Sequence, residues 1–302
     1  MKIINFLDER WLIDLLNNLF EDTKSILNYL DLLDKIKQIC GRESICYHSV
    51  LLEKHCIHGP LCEVIWGDLS RNEEYRDILQ RISRTISEAD NISVNQENNL
   101  SFESGAQTSL HANKNGGLIY NKEETSNWWN ANSMIVIKSI DDIKNLYRTL
   151  SVYHAISYHD FSNYLDKAFP DLFFFADAKD FSKACIAEKH DNGLSILIFH
   201  LSYLNDYARK DFLEAPAQFE QKARSYGIEL SRESSGTKDN KAATRERTKE
   251  ISGLEIFFEL HTKLTREKGR IHFHIGSNLD ETILNTTGGR VIIGIICKHL
   301  ST

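Results

Sequence analysis

The chain has 302 residues, of which 41% are hydrophobic and 26% charged, with three prolines and a formal charge of -7. That balance excludes a disordered or collagen-like chain, and no stretch of about eighteen uncharged apolar residues marks a membrane-spanning helix. The charge is uneven: residues 228–302 hold 12 Lys/Arg against 10 Asp/Glu, an excess small enough to be read as ordinary solvated faces, though this mildly basic end can accept a polyanion that the acidic body repels.

The opening MKIINFLDERWLIDLLNNLF carries acids inside its apolar run and lacks a small-residue cleavage site, unlike a secretory signal; a cytoplasmic location is expected. Phe6, Trp11, Leu12, Leu15, Leu16 and Leu19 recur at three- and four-residue spacings, an amphipathic helical stripe. SILNYLDLLDKIKQIC repeats it up to Gly41, and NEEYRDILQRISRTI gives a third segment. Residues 1–92 therefore read as a helical bundle region without a catalytic motif. Cys40, Cys46, Cys56 and Cys62 fall there with His48, His55 and His58, but their spacings lack the close Cys pairs of a zinc site. Buried free thiols in a helical layer are expected.

Residues 93–116 are rich in Asn, Ser and Gly and read as a linker. A small α/β connecting segment, 117–165, follows, with strands at Leu118–Tyr120 and Met134–Lys138 and a helix from Asp141. Its Trp128–Trp129 pair is expected to pack in a core or interface rather than to stack bases. From residue 166 the pattern sharpens. DLFFFA reads as an aromatic strand and DAKDFSKACIAEKH as a helix N-capped by Asp177. LSILIFHLSYLNDYARKDF reads as the second helix of an αα-hairpin. GIELSRES is a candidate strand, SGTKDNKAATRERTKEI a polar, basic excursion, and three β-type runs close the chain.

Within those runs Arg270, His272 and His274 alternate with Ile271, Phe273 and Ile275, so the three polar side chains share one face of a strand. His261 and Lys263 share a face of the preceding run, and Lys298 and His299 end the last. Metal-free RNA cleavage uses the 2′-OH as nucleophile; a base takes its proton, an acid protonates the leaving oxygen, and cations stabilise the phosphorane. Histidine suits the proton steps and arginine the phosphate. His261, Lys263, Arg270, His272, His274, Lys298 and His299 are thus the candidate catalytic residues. Arg232, Lys238, Lys241, Arg245 and Arg247 of the excursion are candidate phosphate contacts.

The order strand, helix, helix, antiparallel strands resembles the RelE/ParE toxin superfamily over roughly residues 168–302. DLFFFADAKDFSKA is similar to its opening strand and helix, GRIHFHIG to its central strand, and VIIGIICKHL to its closing strand. The resemblance implies an α+β fold: an N-terminal helical region followed by a RelE-like domain at 166–302. It also implies cleavage of RNA or ribosome-bound mRNA without a cofactor, in a toxin or anti-phage defence setting. Arg270 would match the family's strand arginine and Lys298 or His299 its C-terminal active residue, with the N-terminal helices free to meet a protein partner or antitoxin.

Two other readings use the same residues. His272 and His274, with His261 or His299 and the carboxylate of Glu259, have the spacing of a histidine-coordinated metal enzyme. Arg270 and Lys263 would crowd a divalent ion there. The terminal sheet would otherwise be a non-catalytic regulatory module binding nucleic acid or protein. A PD-(D/E)xK nuclease is disfavoured, since Glu188–Lys189 falls in an expected helix.

Overall fold

The computed structural model describes residues 3–48, 50–92, 116–119, 135–188 and 192–301. The chain forms two compact units, Met1–Leu146 and Tyr147–Thr302. Both mix helices with sheet, in keeping with the α+β expectation.

The first unit is not a helical bundle. Its helices are where the stripes place them, at Glu9–Asn17, Thr23–Cys40 and Arg76–Glu88, with Asp8 and Asp22 capping the first two. They surround a parallel sheet built from very short strands: β1 (Asn5–Leu7), β2 (Ile45–His48), β5 (Asp90–Ile92), β6 (Leu118–Ile119) and β7 (Val136–Ile137). A separate two-stranded ribbon joins β3 (His55–Cys56) and β4 (Gly59–Pro60). The five parallel strands run in the order β5-β2-β1-β6-β7, in which the direction of winding reverses beside β1, as in doubly wound sheets. The expected connecting segment thus supplies β6 and β7 to the same sheet. The linker residues 93–115 and Trp128–Trp129 lie outside the described residues. All six cysteines are free, but only Cys46 is buried, and it lies in the strand β2 rather than in a helical layer.

In the second unit the central sheet is mixed, in the order β8-β14-β13-β12-β9. Its strands are β8 (Leu172–Phe174), β9 (Leu230–Arg232), β12 (Leu260–Lys263), β13 (Arg270–His274) and β14 (Val291–Cys297). The aromatic strand β8 pairs parallel to β14; the other pairings are antiparallel. A hairpin of β10 (Thr248–Ile251) and β11 (Leu254–Phe257) stands apart. The run LEIFFELHTKL is therefore two strands, broken at Phe258–Glu259.

One sheet face packs on helices. Ile271, Phe273 and Ile293 are almost fully buried, and the Phe219 ring meets Phe273 edge-on at 6.5 Å. The long helix is present at Gly193–Tyr203 and runs through a π-turn, Leu204–Ala208, into Arg209–Glu214. The expected helix after β8 is absent. Residues 176–184 form two 3-10 turns, and Asp177 pairs with Lys249 instead of capping. Asp180, between the two turns, has φ -86° and ψ 86°, outside the helical range, so the segment does not run on as one helix, and Ala178, Phe181 and Ala184 are its buried residues. The strand–helix–helix layout of the RelE-like expectation accordingly lacks its first helix. On the other face the hairpin's Ile251 and Ile256 pack in an apolar cluster with Phe258, Ile283 and Ile292. There β14 bulges at Gly294, where an added Cβ would lie 2.4 Å from the Phe258 ring. Only a residue without a side chain lets that ring lie flat on the strand.

Candidate functional site

The alternation that placed His261, Lys263, Arg270 and His272 on one face is realised in the register. Antiparallel pairing sets His261 opposite His272 and Lys263 opposite Arg270. Paired residues on adjacent antiparallel strands project to the same side, so the two histidines are neighbours, with ring centroids 5.0 Å apart. The strand β9 continues the row: Ser231 faces His261, and the backbone of Glu233 bonds to Glu259.

This face is covered, not exposed. The excursion expected to be a loose, phosphate-contacting loop folds into two short helices, Ser235–Asp239 and Lys241–Glu246, each N-capped by a side chain, Ser234 and Asn240. It is tied to the face by Lys238 on Glu259 and Arg247 on Glu233, and Ser301 binds Glu246 from the chain's end. Its own Thr237 and Ala243 are buried. Arg247 is 2% exposed, so it does not offer its charge to a ligand at the surface. Lys241 and Arg245 are exposed on the outer side.

Three nitrogens converge on one oxygen under this cover. Arg247 Nε, His261 Nδ1 and His272 Nδ1 lie 2.8, 3.3 and 3.6 Å from Glu233 Oε1. None is aligned as a hydrogen bond: Arg247 Nε, His261 Nδ1 and both His272 nitrogens are buried without a hydrogen-bond partner. Burial pushes the His272 imidazole down to about 3, with His261 and Arg247 adding to the effect. His261 is also lowered, by burial foremost, while Glu233 opposes. Both rings are therefore neutral at pH 7. Glu233 was not foreseen from the sequence, although Glu229, Ser231 and Glu233 alternate with Ile228 and Leu230 and could have marked its face.

The other predicted residues are dispersed. Arg270 turns its guanidinium onto the carbonyls of Thr265 and Gly269, closing the β12–β13 turn. Lys263 pairs with Glu229. Lys298 and His299 are exposed at that same end, where Gly269 N–H donates to the Lys298 carbonyl. His274 lies at the opposite end of β13, about 13 Å away along the strand. There a cleft of about 180 Å³ opens, lined by His274, Glu259, Arg232, Phe212, Phe257 and Ser277 among others. Gly276 N–H donates to His274 Nδ1 at 3.1 Å, which assigns the ring proton of the neutral form to Nε2. Burial lowers the His274 pKa, against the pull of Glu259. The Arg232 guanidinium stands over the Phe212 ring at 5.9 Å and within 4.0 Å of Glu259.

The chain matches no family model, no curated protein and no solved structure. Among the described residues no helix is long and apolar enough to cross a membrane.

Proposed function

We propose that the second unit cleaves RNA without a metal ion, at the cleft where His274, Glu259 and Arg232 meet. The observation that carries the reading is the make-up of this cleft: a carboxylate, an imidazole and a guanidinium at one opening. In this reading Arg232, with Lys238 at the rim, binds the phosphate. Glu259 takes the 2′-OH proton as the 2′-oxygen bonds to phosphorus, the P–O5′ bond breaks with water protonating the departing 5′-oxygen, and His274 Nε2–H donates a hydrogen bond to a phosphoryl oxygen. The partly exposed rings of Phe212 and Phe257 serve as a wall for a base. The role expected of His261 and His272 passes to His274 and Glu259, because the first two are closed off from substrate by the 234–247 segment.

The toxin or defence setting, and free or ribosome-bound mRNA as substrate, come from the RelE-like resemblance and belong to the same proposal. The test is incubation of RNA with purified protein in EDTA, beside an Arg232→Ala/His274→Ala variant. Products with 2′,3′-cyclic phosphate ends, lost in the variant, are expected; induced expression of the wild type, but not of the variant, should arrest growth. Intact RNA in EDTA and again with Zn²⁺ restored, and on translating ribosomes in Mg²⁺ buffer, would overturn the cleavage reading. Salt-dependent retention of RNA without cleavage would put a binding module in its place.

A further inference from the structure

Beneath the covering segment, Glu233, His261 and His272 each bring one donor atom to a common point, all within 4.8 Å of one another. From this geometry we infer a second site, distinct from the cleft: a buried centre for a zinc-type divalent cation held by Glu233, His261 and His272.

Ligands about 2.0–2.1 Å from a tetrahedral cation stand about 3.4 Å apart. The two Glu233–histidine separations, 3.3 and 3.6 Å, bracket that edge. The donor set, two imidazoles and one carboxylate, is that of borderline transition metals rather than of calcium or magnesium. It also supplies what the cluster lacks, since the inward-facing nitrogens have no other hydrogen-bond partner, and leaving buried polar atoms unmatched is costly.

The cations expected to crowd an ion here are turned away, Arg270 to the turn carbonyls and Lys263 to Glu229. Arg247 is the cation that approaches. Its Nε stands 2.8 Å from Glu233 Oε1 without an aligned hydrogen bond, the place of an outer-shell cation beside a ligating carboxylate. His274, named with His272 in the sequence-based metal reading, stays outside because its Nδ1 accepts from Gly276 N–H.

The ligands come from three neighbouring segments: the end of β9, β12 and β13. A bound ion would therefore clamp the edge strand to the centre of the sheet and, through Arg247, hold the covering segment down. Its role in this arrangement is to stabilise the fold.

The test uses the full chain stripped with EDTA and titrated with Zn²⁺ and Co²⁺. One equivalent is expected to bind with micromolar affinity or better, to raise the melting temperature, and to give Co²⁺ the visible absorption of a four-coordinate site. His261→Gln and Glu233→Gln should each weaken binding about 100-fold or more, and His274→Gln should leave it within threefold. Should the first two fail to fold, X-ray absorption of the wild-type zinc form decides. Nitrogen and oxygen neighbours including two imidazoles support the site, and sulfur neighbours overturn it. Binding that is sub-stoichiometric, or unchanged in folded His261→Gln and Glu233→Gln, also overturns it. None of these readouts involves RNA, so the site stands or falls apart from the cleavage proposal.

Discussion

Replacing Arg247 by Met tests the central claim that the covered face is held by charge. Arg247 and Glu233 side chains are 3% and 7% exposed, so removing the guanidinium strands a carboxylate in a nearly dry layer. Breaking such a pair from one side costs about 3–5 kcal/mol. The loss should appear where the pair acts, in the segment 234–247 and the strands β12 and β13 below it. All four tryptophans precede residue 130, in the other unit, so tryptophan fluorescence is the wrong probe. Hydrogen exchange read by mass spectrometry on peptides spanning 233–247 and 260–274 is local and needs no two-state assumption. In EDTA, so that no cation substitutes for the arginine, exchange should quicken by roughly a hundred- to several-thousand-fold, at tenfold per 1.4 kcal/mol. Adding Glu233→Gln to Arg247→Met should restore part of the protection, since no charge is then left buried. Protection within threefold of wild type in the single variant would refute the reasoning. So would a double variant no better protected than the single.

Gly294→Ala drives a methyl group into the Phe258 ring, in a patch already filled, and should destabilise the second unit by about 1–3 kcal/mol; an unchanged urea midpoint by circular dichroism would count against the bulge. His200 is buried, and burial pushes its pKa down to about 4. Above pH 6.5 neither state is protonated; as pH falls towards 4 only the unfolded chain gains the proton, so stability is lost over that interval, by about 3 kcal/mol at pH 4. His200→Leu should therefore lose less stability than wild type between pH 7 and 4, and parallel losses in the two proteins would contradict the assignment. Burial also raises the thiols of Cys46 to about 12 and Cys297 to about 11, while Cys185 is exposed. Alkylation at pH 7.5 followed by peptide mapping should mark Cys185 first, with Cys46 and Cys297 reacting only on unfolding.

Local periodicity carried much of this protein. The two-residue alternation of Arg270, His272 and His274 with Ile271, Phe273 and Ile275 is a property of the chain itself, and it placed the histidine face correctly. The three- and four-residue stripes likewise located the helices Glu9–Asn17, Thr23–Cys40 and Arg76–Glu88 and the long helix from Gly193. The strands β1, β2 and β6 are two to four residues long and buried throughout, so they show no alternation of polar and apolar residues, and the parallel sheet of the first unit was hidden among its helices. The helix expected after β8 was given Asp177 as its cap, and in the fold Asp177 pairs with Lys249 across 72 residues of chain. Other features depended on tertiary structure alone. Glu233 meets His261 and His272 only because β9 pairs with β12 across 28 residues of chain. The covering segment is polar enough to pass for a solvated loop until Arg247 finds Glu233 and Lys238 finds Glu259. A strand's alternation states which side chains share a face; whether that face meets water, a neighbouring segment or an ion is settled by long-range contacts that no local pattern records.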